Sequence, residues 1–74
     1  MVSEEAQSAF YEGRRSARFP FAINDSVAVI EGRKPGVGAA VISPESDFPE
    51  VKYLIEYGDD GSMEILSVGQ LRPL

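Results

Sequence analysis

The sequence predicts a small all-β domain in which five short strands form a strongly bent barrel, preceded by a short helix. From residue 19 onward, short apolar runs alternate with turn-forming residues, which is the pattern of closely spaced antiparallel strands. No long helical segment separates these runs. Parallel strands need such a segment as a crossover connection, so the sheet is expected to be antiparallel. The length of 74 residues allows one small domain.

Residues 1–18 are expected to form a helix or arm, and residues 19–74 the barrel. Ser3 is a typical N-cap and is followed by two glutamates that favour the first turn of a helix. Gly13 is a natural C-terminal stop. A helix this short is not stable alone, so it either packs on the barrel through Phe10 and Tyr11 or frays.

The first two predicted strands are separated by a glycine-rich turn. Residues 27–30 form a run rich in β-branched residues that ends at Gly32, and residues 38–42 form a second apolar run. Ser43-Pro44 is expected to end the second strand. Residues 44–50 contain two prolines and three acids and are expected to form a loop.

The third and fourth predicted strands form a hairpin. Residues 51–57 alternate apolar and polar side chains at a period of two, which places Tyr53 and Tyr57 in the core rather than in an aromatic cage. Residues 58–61, Gly-Asp-Asp-Gly, connect this strand to a return strand at residues 63–66. A last short strand at 71–73 ends in a proline, which belongs at a sheet edge.

The composition argues against catalysis and against metal or cofactor binding. The chain has no His, Cys or Thr, which removes the usual general base, thiol chemistry and zinc ligands. We therefore expect a non-enzymatic protein with no cofactor. There is no apolar run long enough for a transmembrane helix and no signal-peptide pattern, so the default expectation is a cytoplasmic protein without a membrane partner.

The net charge of −5 belongs to the predicted barrel. Residues 19–74 carry nine acids and four bases, whereas residues 1–18 carry three of each, with the bases at Arg14, Arg15 and Arg18. Nucleic-acid binding requires clustered cations, so this balance disfavours it. An acidic surface instead suits a basic protein partner.

Residues 25–41 resemble the KOW motif of small Src-homology-3-like (SH3-like) barrels. The matching positions are Asp25, Val27, Val29, Ile30, Gly32, Gly36, Ala39 and Val41, with Ala39 where the motif usually has glycine. The hairpin that begins at Tyr53 and the terminal Leu-Arg-Pro look like the later strands of KOW and Tudor barrels. The resemblance implies a five-stranded SH3-like barrel over residues 21–74.

The order of three further segments is similar to that in single-domain bacterial immunity proteins of polymorphic toxin systems. These segments are Ile30-Glu-Gly32, Ser43-Pro-Glu45 and the stretch from Tyr53 to Asp59. This resemblance implies a small, acidic, non-catalytic protein that binds a toxin. The leading hypothesis is therefore a protein-binding module, in its most concrete form an immunity protein for a basic toxin domain.

The candidate partner-binding residues are acids together with one aromatic: Glu45, Asp47, Phe48, Glu50, Asp59 and Asp60. Exposed aromatics anchor interfaces, and acids steer basic partners. The competing interpretation is that Phe48 packs onto the barrel and that its neighbouring acids are only solvated. Asp59 and Asp60 also fit a plain turn.

Two alternatives stay open. A KOW-like nucleic-acid or ribosome accessory domain would use Arg33 and Lys34, because the first loop is where KOW domains contact RNA. A small structural subunit of a larger enzyme complex is the other. An exposed edge strand would also permit a homodimer, so the sequence is compatible with a monomer or a dimer.

Overall fold

An antiparallel sheet of five strands, with a short helix at its N-terminal side, makes up the protein. The computed structural model describes residues 2–74. Its elements are helix α1 (Glu4–Tyr11), strands β1 (Ser26–Val29), β2 (Gly38–Ser46), β3 (Lys52–Tyr57) and β4 (Met63–Ser67), the 3₁₀ turn η1 (Val68–Gln70) and strand β5 (Leu71–Pro73). The predicted all-β class, five strands and preceding helix are confirmed.

The strands follow the spatial order β4-β3-β2-β1-β5, and all four neighbouring pairs are antiparallel. β4 and β5 are therefore the two edges of the sheet, and among residues 2–74 no ladder joins them. The structure thus gives a five-stranded antiparallel sheet without the ring closure of a complete barrel. Pro73 lies on the edge strand β5, as predicted.

Strand β2 runs past the Ser43-Pro44 pair that was expected to end it, and that prediction is wrong. β2 continues to Ser46, and its pairing with β3 shifts register twice, between Val41 and Ser43 and between Pro44 and Ser46. Proline is tolerated in strands at such bulges because the ladder is interrupted there. Since bulges also bend a strand, β2 turns as it crosses the sheet.

The core lies on one face of the sheet. On β3 the alternation predicted from the sequence is confirmed, since Tyr53, Ile55 and Tyr57 are fully buried. The other buried residues of the core cluster are Phe10, Phe21, Val27, Val29, Ala39, Val41, Val51, Leu66 and Leu71. The cluster therefore draws on the helix and on all five strands.

Helix α1 docks on this core rather than fraying. The Ser3 hydroxyl accepts a hydrogen bond from the Ala6 amide (3.2 Å), which caps the first turn. At the other end, Gly13 has a φ of 79°, a left-handed conformation that ends the helix. Phe10 is only 3% exposed, and its ring centroid lies 5.9 Å from that of Tyr53. Tyr11 points away and is 51% exposed, so a single aromatic anchors the helix.

Candidate functional site

The loop between β2 and β3, residues 47–51, presents the most exposed large apolar side chain among residues 2–74. Phe48 is 81% exposed there, so the interpretation that packed it onto the sheet is wrong. Burying a phenylalanine side chain is worth about 2 kcal/mol or more. An aromatic left in water at a loop tip is therefore an anchor that a partner can cover.

Hydrogen bonds within the β2–β3 loop fix its shape. The Ser46 hydroxyl, at the end of β2, lies 3.2 Å from the carbonyl oxygen of Phe48 and 3.3 Å from that of Glu50, so its single hydrogen can be donated to either of them. Ser residues commonly close turns in this way. The loop thus holds the backbone of Phe48 in one position.

Two residues of the N-terminal segment, residues 2–18, also form hydrogen bonds to this loop. The Arg18 guanidinium donates to the carbonyl oxygen of Asp47, and the Ser3 amide lies 3.4 Å from Asp47 Oδ2. Three parts of the chain, the end of β2, the start of α1 and the segment after the helix, therefore meet at the loop. A binding loop ordered in advance loses less conformational entropy when a partner binds.

The acids of this region have few cationic partners. Glu45 is the second-last residue of β2. Its side chain is exposed and accepts a 2.6 Å hydrogen bond from the Ser43 hydroxyl. Glu50 lies 3.9 Å from the Lys52 ammonium, a distant contact. Within residues 2–74, neither Glu45 nor Asp47 forms an ion pair with a Lys or Arg.

The hairpin acids, in contrast, already have a cation. The Lys34 ammonium lies 3.2 Å from Asp59 Oδ1 and also contacts Asp60 Oδ2. Asp60 additionally accepts the Ser62 amide at 2.9 Å. The Lys34 hydrogen bond, followed by those from Ser62, holds the pKa of Asp60 well below its ordinary value. Asp59 and Asp60 therefore close a turn and neutralise Lys34.

The predicted partner-binding residues consequently fall into two groups that do not share a surface. The β2–β3 loop precedes β3, and the hairpin follows it. β3 has six residues, so the two groups lie about 20 Å apart along the strand. The loop group, with Glu45, Asp47, Phe48 and Glu50, has the exposed aromatic and the free charge.

Arg33 and Lys34, the two cations of the alternative RNA site, already form ion pairs within the chain. Arg33 Nε lies 3.6 Å from Glu64 Oε1, and its guanidinium donates to the carbonyl oxygen of Met63. Arg33 and Lys34 also lie over the ring of Tyr57, at 5.9 and 5.4 Å from its centroid. Both side chains therefore tie the β1–β2 loop to the β3–β4 hairpin.

Tyr57 and Glu64 form a polar pair beneath that loop, which the sequence did not reveal. The Tyr57 hydroxyl donates to Glu64 Oε1 at 2.5 Å, and the Arg33 amide donates to the same oxygen at 3.0 Å. Burial, and next the bond to Glu64, raises the pKa of Tyr57. The Tyr57 bond is also the main reason why the pKa of Glu64 is lowered.

Across residues 2–74, no group of three or more His, Cys, Asp or Glu side chains is placed to hold a metal ion. No helix in this part of the chain has the length and apolar character needed to cross a membrane.

Comparisons with known proteins identify no relative. No family model matches the chain, and neither a curated protein nor a solved structure matches it. The function is therefore argued from the geometry of the β2–β3 loop.

Proposed function

We propose that this chain is a non-enzymatic protein-binding module whose binding element is the β2–β3 loop. The observation that carries the proposal is Phe48, an 81% exposed aromatic on a loop that Ser46 and Arg18 hold in place. Interface hot spots are typically large side chains that fill a pocket on the partner. A preordered loop with one such side chain fits this role.

The charge around Phe48 defines the partner's chemistry. Glu45 and Asp47 are free of ion pairs with Lys or Arg within residues 2–74, and the whole chain carries a net charge of −5. A complementary surface has an apolar pocket rimmed by Lys or Arg. In its most concrete form, the module is an immunity protein that covers a basic toxin domain, as the resemblance to single-domain immunity proteins implies.

We further infer that the sheet belongs to an SH3-like small barrel. Three features support this inference: the strand order β4-β3-β2-β1-β5, the two register shifts that bend β2, and the 3₁₀ turn before β5. Bulges in a long central strand allow a short sheet to fold over its own core. This barrel hosts many functions, so it supports the fold and not the choice of partner.

The nucleic-acid alternative lacks comparable support. Arg33 and Lys34 both form ion pairs inside the chain, so a phosphate would have to displace Glu64 or the two hairpin aspartates. No observation favours a subunit of an enzyme complex over the binding module.

The test is the affinity for basic protein domains, with any toxin domain encoded beside this gene as the first probe, measured by calorimetry with the full chain. Phe48→Ala is expected to weaken binding by tenfold or more, about 1.4 kcal/mol or above. Ile30→Ala is the matched control, because Ile30 is also an exposed apolar residue (53%) but lies in the β1–β2 loop. Equal affinities of the two variants would show that the β2–β3 loop is not the binding element.

A further inference from the structure

Strand β4 forms one edge of the sheet, and its free side carries a specific pattern of backbone groups. The Tyr57 amide donates to Ser62 O, and the Val68 amide donates to Val51 O, so on the β4 side of the hairpin the even-numbered residues bond to β3. Hydrogen bonding alternates along an antiparallel pair. The N–H and C=O groups of Met63, Ile65 and Ser67 therefore point away from β3, toward the free edge.

Two of these outward groups are occupied by side chains from other parts of the chain. The Arg33 guanidinium, from the β1–β2 loop, donates to the carbonyl oxygen of Met63. The side-chain oxygen of Gln70, from η1, accepts the amide of Ser67 at 2.9 Å. We call Arg33 and Gln70 the edge caps.

Both edge caps are themselves held in place. Arg33 Nε lies 3.6 Å from Glu64 Oε1, and its guanidinium lies over the ring of Tyr57. Gln70 Nε2 donates to the carbonyl oxygen of Glu31 at 3.2 Å. Each cap therefore stays at the edge while the β1–β2 loop stays folded against the sheet.

The occupied groups are two of those that would form hydrogen bonds if two copies paired through β4. If two β4 edges pair antiparallel about Ile65, Ile65 faces its own counterpart, and Met63 faces Ser67 of the second copy. In a hydrogen-bonded pair of this kind, the Ser67 amide donates to the Met63 carbonyl. Arg33 occupies that acceptor, and Gln70 occupies that donor.

The side chains at this edge would otherwise favour such a contact. Met63 is 48% exposed and Ile65 is 51% exposed, and both lie on the outer face of β4. Open edge strands with apolar side chains are the usual sites of unwanted strand pairing. Pairing two β4 strands would place Ile65 beside its counterpart and bury part of these side chains on both copies.

We infer that Arg33 and Gln70 keep the chain from pairing with a second copy of itself through β4. The surface is thus a latent interface whose partner is the same chain, closed by two side-chain hydrogen bonds. Arg33, which the nucleic-acid alternative would use to contact RNA, here blocks a backbone group at the sheet edge. This inference does not depend on the proposed binding function.

The direct test is the mass in solution of the double variant R33A/Q70A, measured by sedimentation over a range of concentrations. Its mass is expected to rise from 8.1 kDa toward twice that value, whereas the wild type stays at the lower mass. The matched control is R14A/Q7A, which also removes one cation and one glutamine but changes only helix α1 and the residues just after it, so that both edge caps and the β1–β2 loop remain. A folded R33A/Q70A variant that stays monomeric overturns the inference.

A third substitution locates the contact. Adding Ile65→Lys to R33A/Q70A places two like charges directly opposite each other in the pairing described, so the monomer should return. A dimer that persists in this triple variant would form elsewhere, which overturns the inference. Association of the wild type through β4 would do so too.

Hydrogen exchange of the wild type keeps the inference testable if the double variant fails to fold. The Ser67 amide, capped by Gln70, is expected to exchange at least tenfold more slowly than the Ile65 amide, which has no cap among residues 2–74. Equal exchange rates at these two positions would mean that the cap is not formed in solution.

Discussion

Gly32 shows how one residue allows the β1–β2 loop to lie on the sheet. A Cβ atom at this position would lie 3.1 Å from Glu64 Oε1, 3.1 Å from the Tyr57 hydroxyl and 3.2 Å from Leu66 Cδ1. Only a residue without a side chain leaves the Tyr57–Glu64 hydrogen bond undisturbed. The sequence marked Gly32 as a turn glycine, and the structure gives the additional reason of close packing.

Gly32→Ala is therefore expected to lower the free energy of unfolding by about 1–3 kcal/mol, the usual range for overpacking. Gly69→Ala is the matched control, since a Cβ there meets nothing within 4 Å and φ is not positive. That change is expected to be neutral or stabilising by up to about 1 kcal/mol. Urea denaturation of both variants tests the difference, and equal midpoints would contradict the close packing.

Asp25 makes the stability of the fold depend on pH. Its carboxylate accepts hydrogen bonds from Arg15 (2.5 and 3.1 Å) and from the Ala22 amide (2.8 Å). The Arg15 bond is the main reason why the pKa of Asp25 is lowered. Because the folded state then binds a proton less readily than the unfolded state, Asp25 stabilises the fold above the ordinary carboxyl range, and this contribution is lost as the pH falls.

Asp25→Asn keeps an acceptor for the Ala22 amide but removes the charge that Arg15 pairs with. At neutral pH the variant is expected to be less stable than the wild type, and the difference is expected to shrink toward zero as the pH falls to about 2. Urea midpoints of both proteins over this range provide the measurement. A constant difference would show that the charge of Asp25 does not stabilise the fold.

At the scale of elements, helix α1 is attached through one side chain. Phe10 and Tyr11 are adjacent aromatics, yet the first is 3% exposed and the second 51%. Phe10→Ala is expected to cost about 3 kcal/mol or more, because it opens a cavity against Tyr53. Tyr11→Ala should cost less than about 1 kcal/mol. Similar losses in thermal or urea unfolding would contradict docking through Phe10 alone.

The buried face of a strand could be predicted from the sequence wherever apolar residues alternate with polar ones. On β3 the period of two gave the buried residues correctly, because every second residue there is apolar. On β4 the same pattern is misleading, since Met63 and Ile65 are exposed while Glu64 turns inward to bond Tyr57. The length of β2 was also missed, because the bulges that accommodate Pro44 depend on the partner strand.

At the scale of the molecule, the sequence identified the candidate acids but not which of them are free. Asp59 and Asp60 looked equivalent to Glu45 and Asp47, yet the first two share an ion pair with Lys34, which offsets one of their two charges. Ion pairs between residues about 25 positions apart in sequence depend on how the loops meet, which local patterns do not encode. From the sequence alone, Phe48 could be either exposed or packed onto the sheet, and the structure shows that it is exposed.

This distribution of charge predicts a small effect of salt on folding and a large effect on binding. Of the seven Lys and Arg residues, five form ion pairs inside the chain: Arg14, Arg15, Arg33, Lys34 and Lys52. Surface pairs of this kind contribute little to stability, and salt also screens the repulsion among the excess acids. The free energy of unfolding should therefore change by less than about 1 kcal/mol when salt is added.

Binding of the basic partner should instead weaken at least tenfold between low and physiological salt, because Glu45 and Asp47 act across solvent. The charge reversal E45K/D47K is expected to weaken binding and to flatten this salt dependence. E12K/E31K is the matched control, since it changes the net charge equally at two exposed positions outside the β2–β3 loop and outside the first turn of helix α1. Calorimetric titrations at several salt concentrations compare the two variants. Equal salt dependence in both would mean that only the net charge of −5, and not its position beside Phe48, attracts the partner.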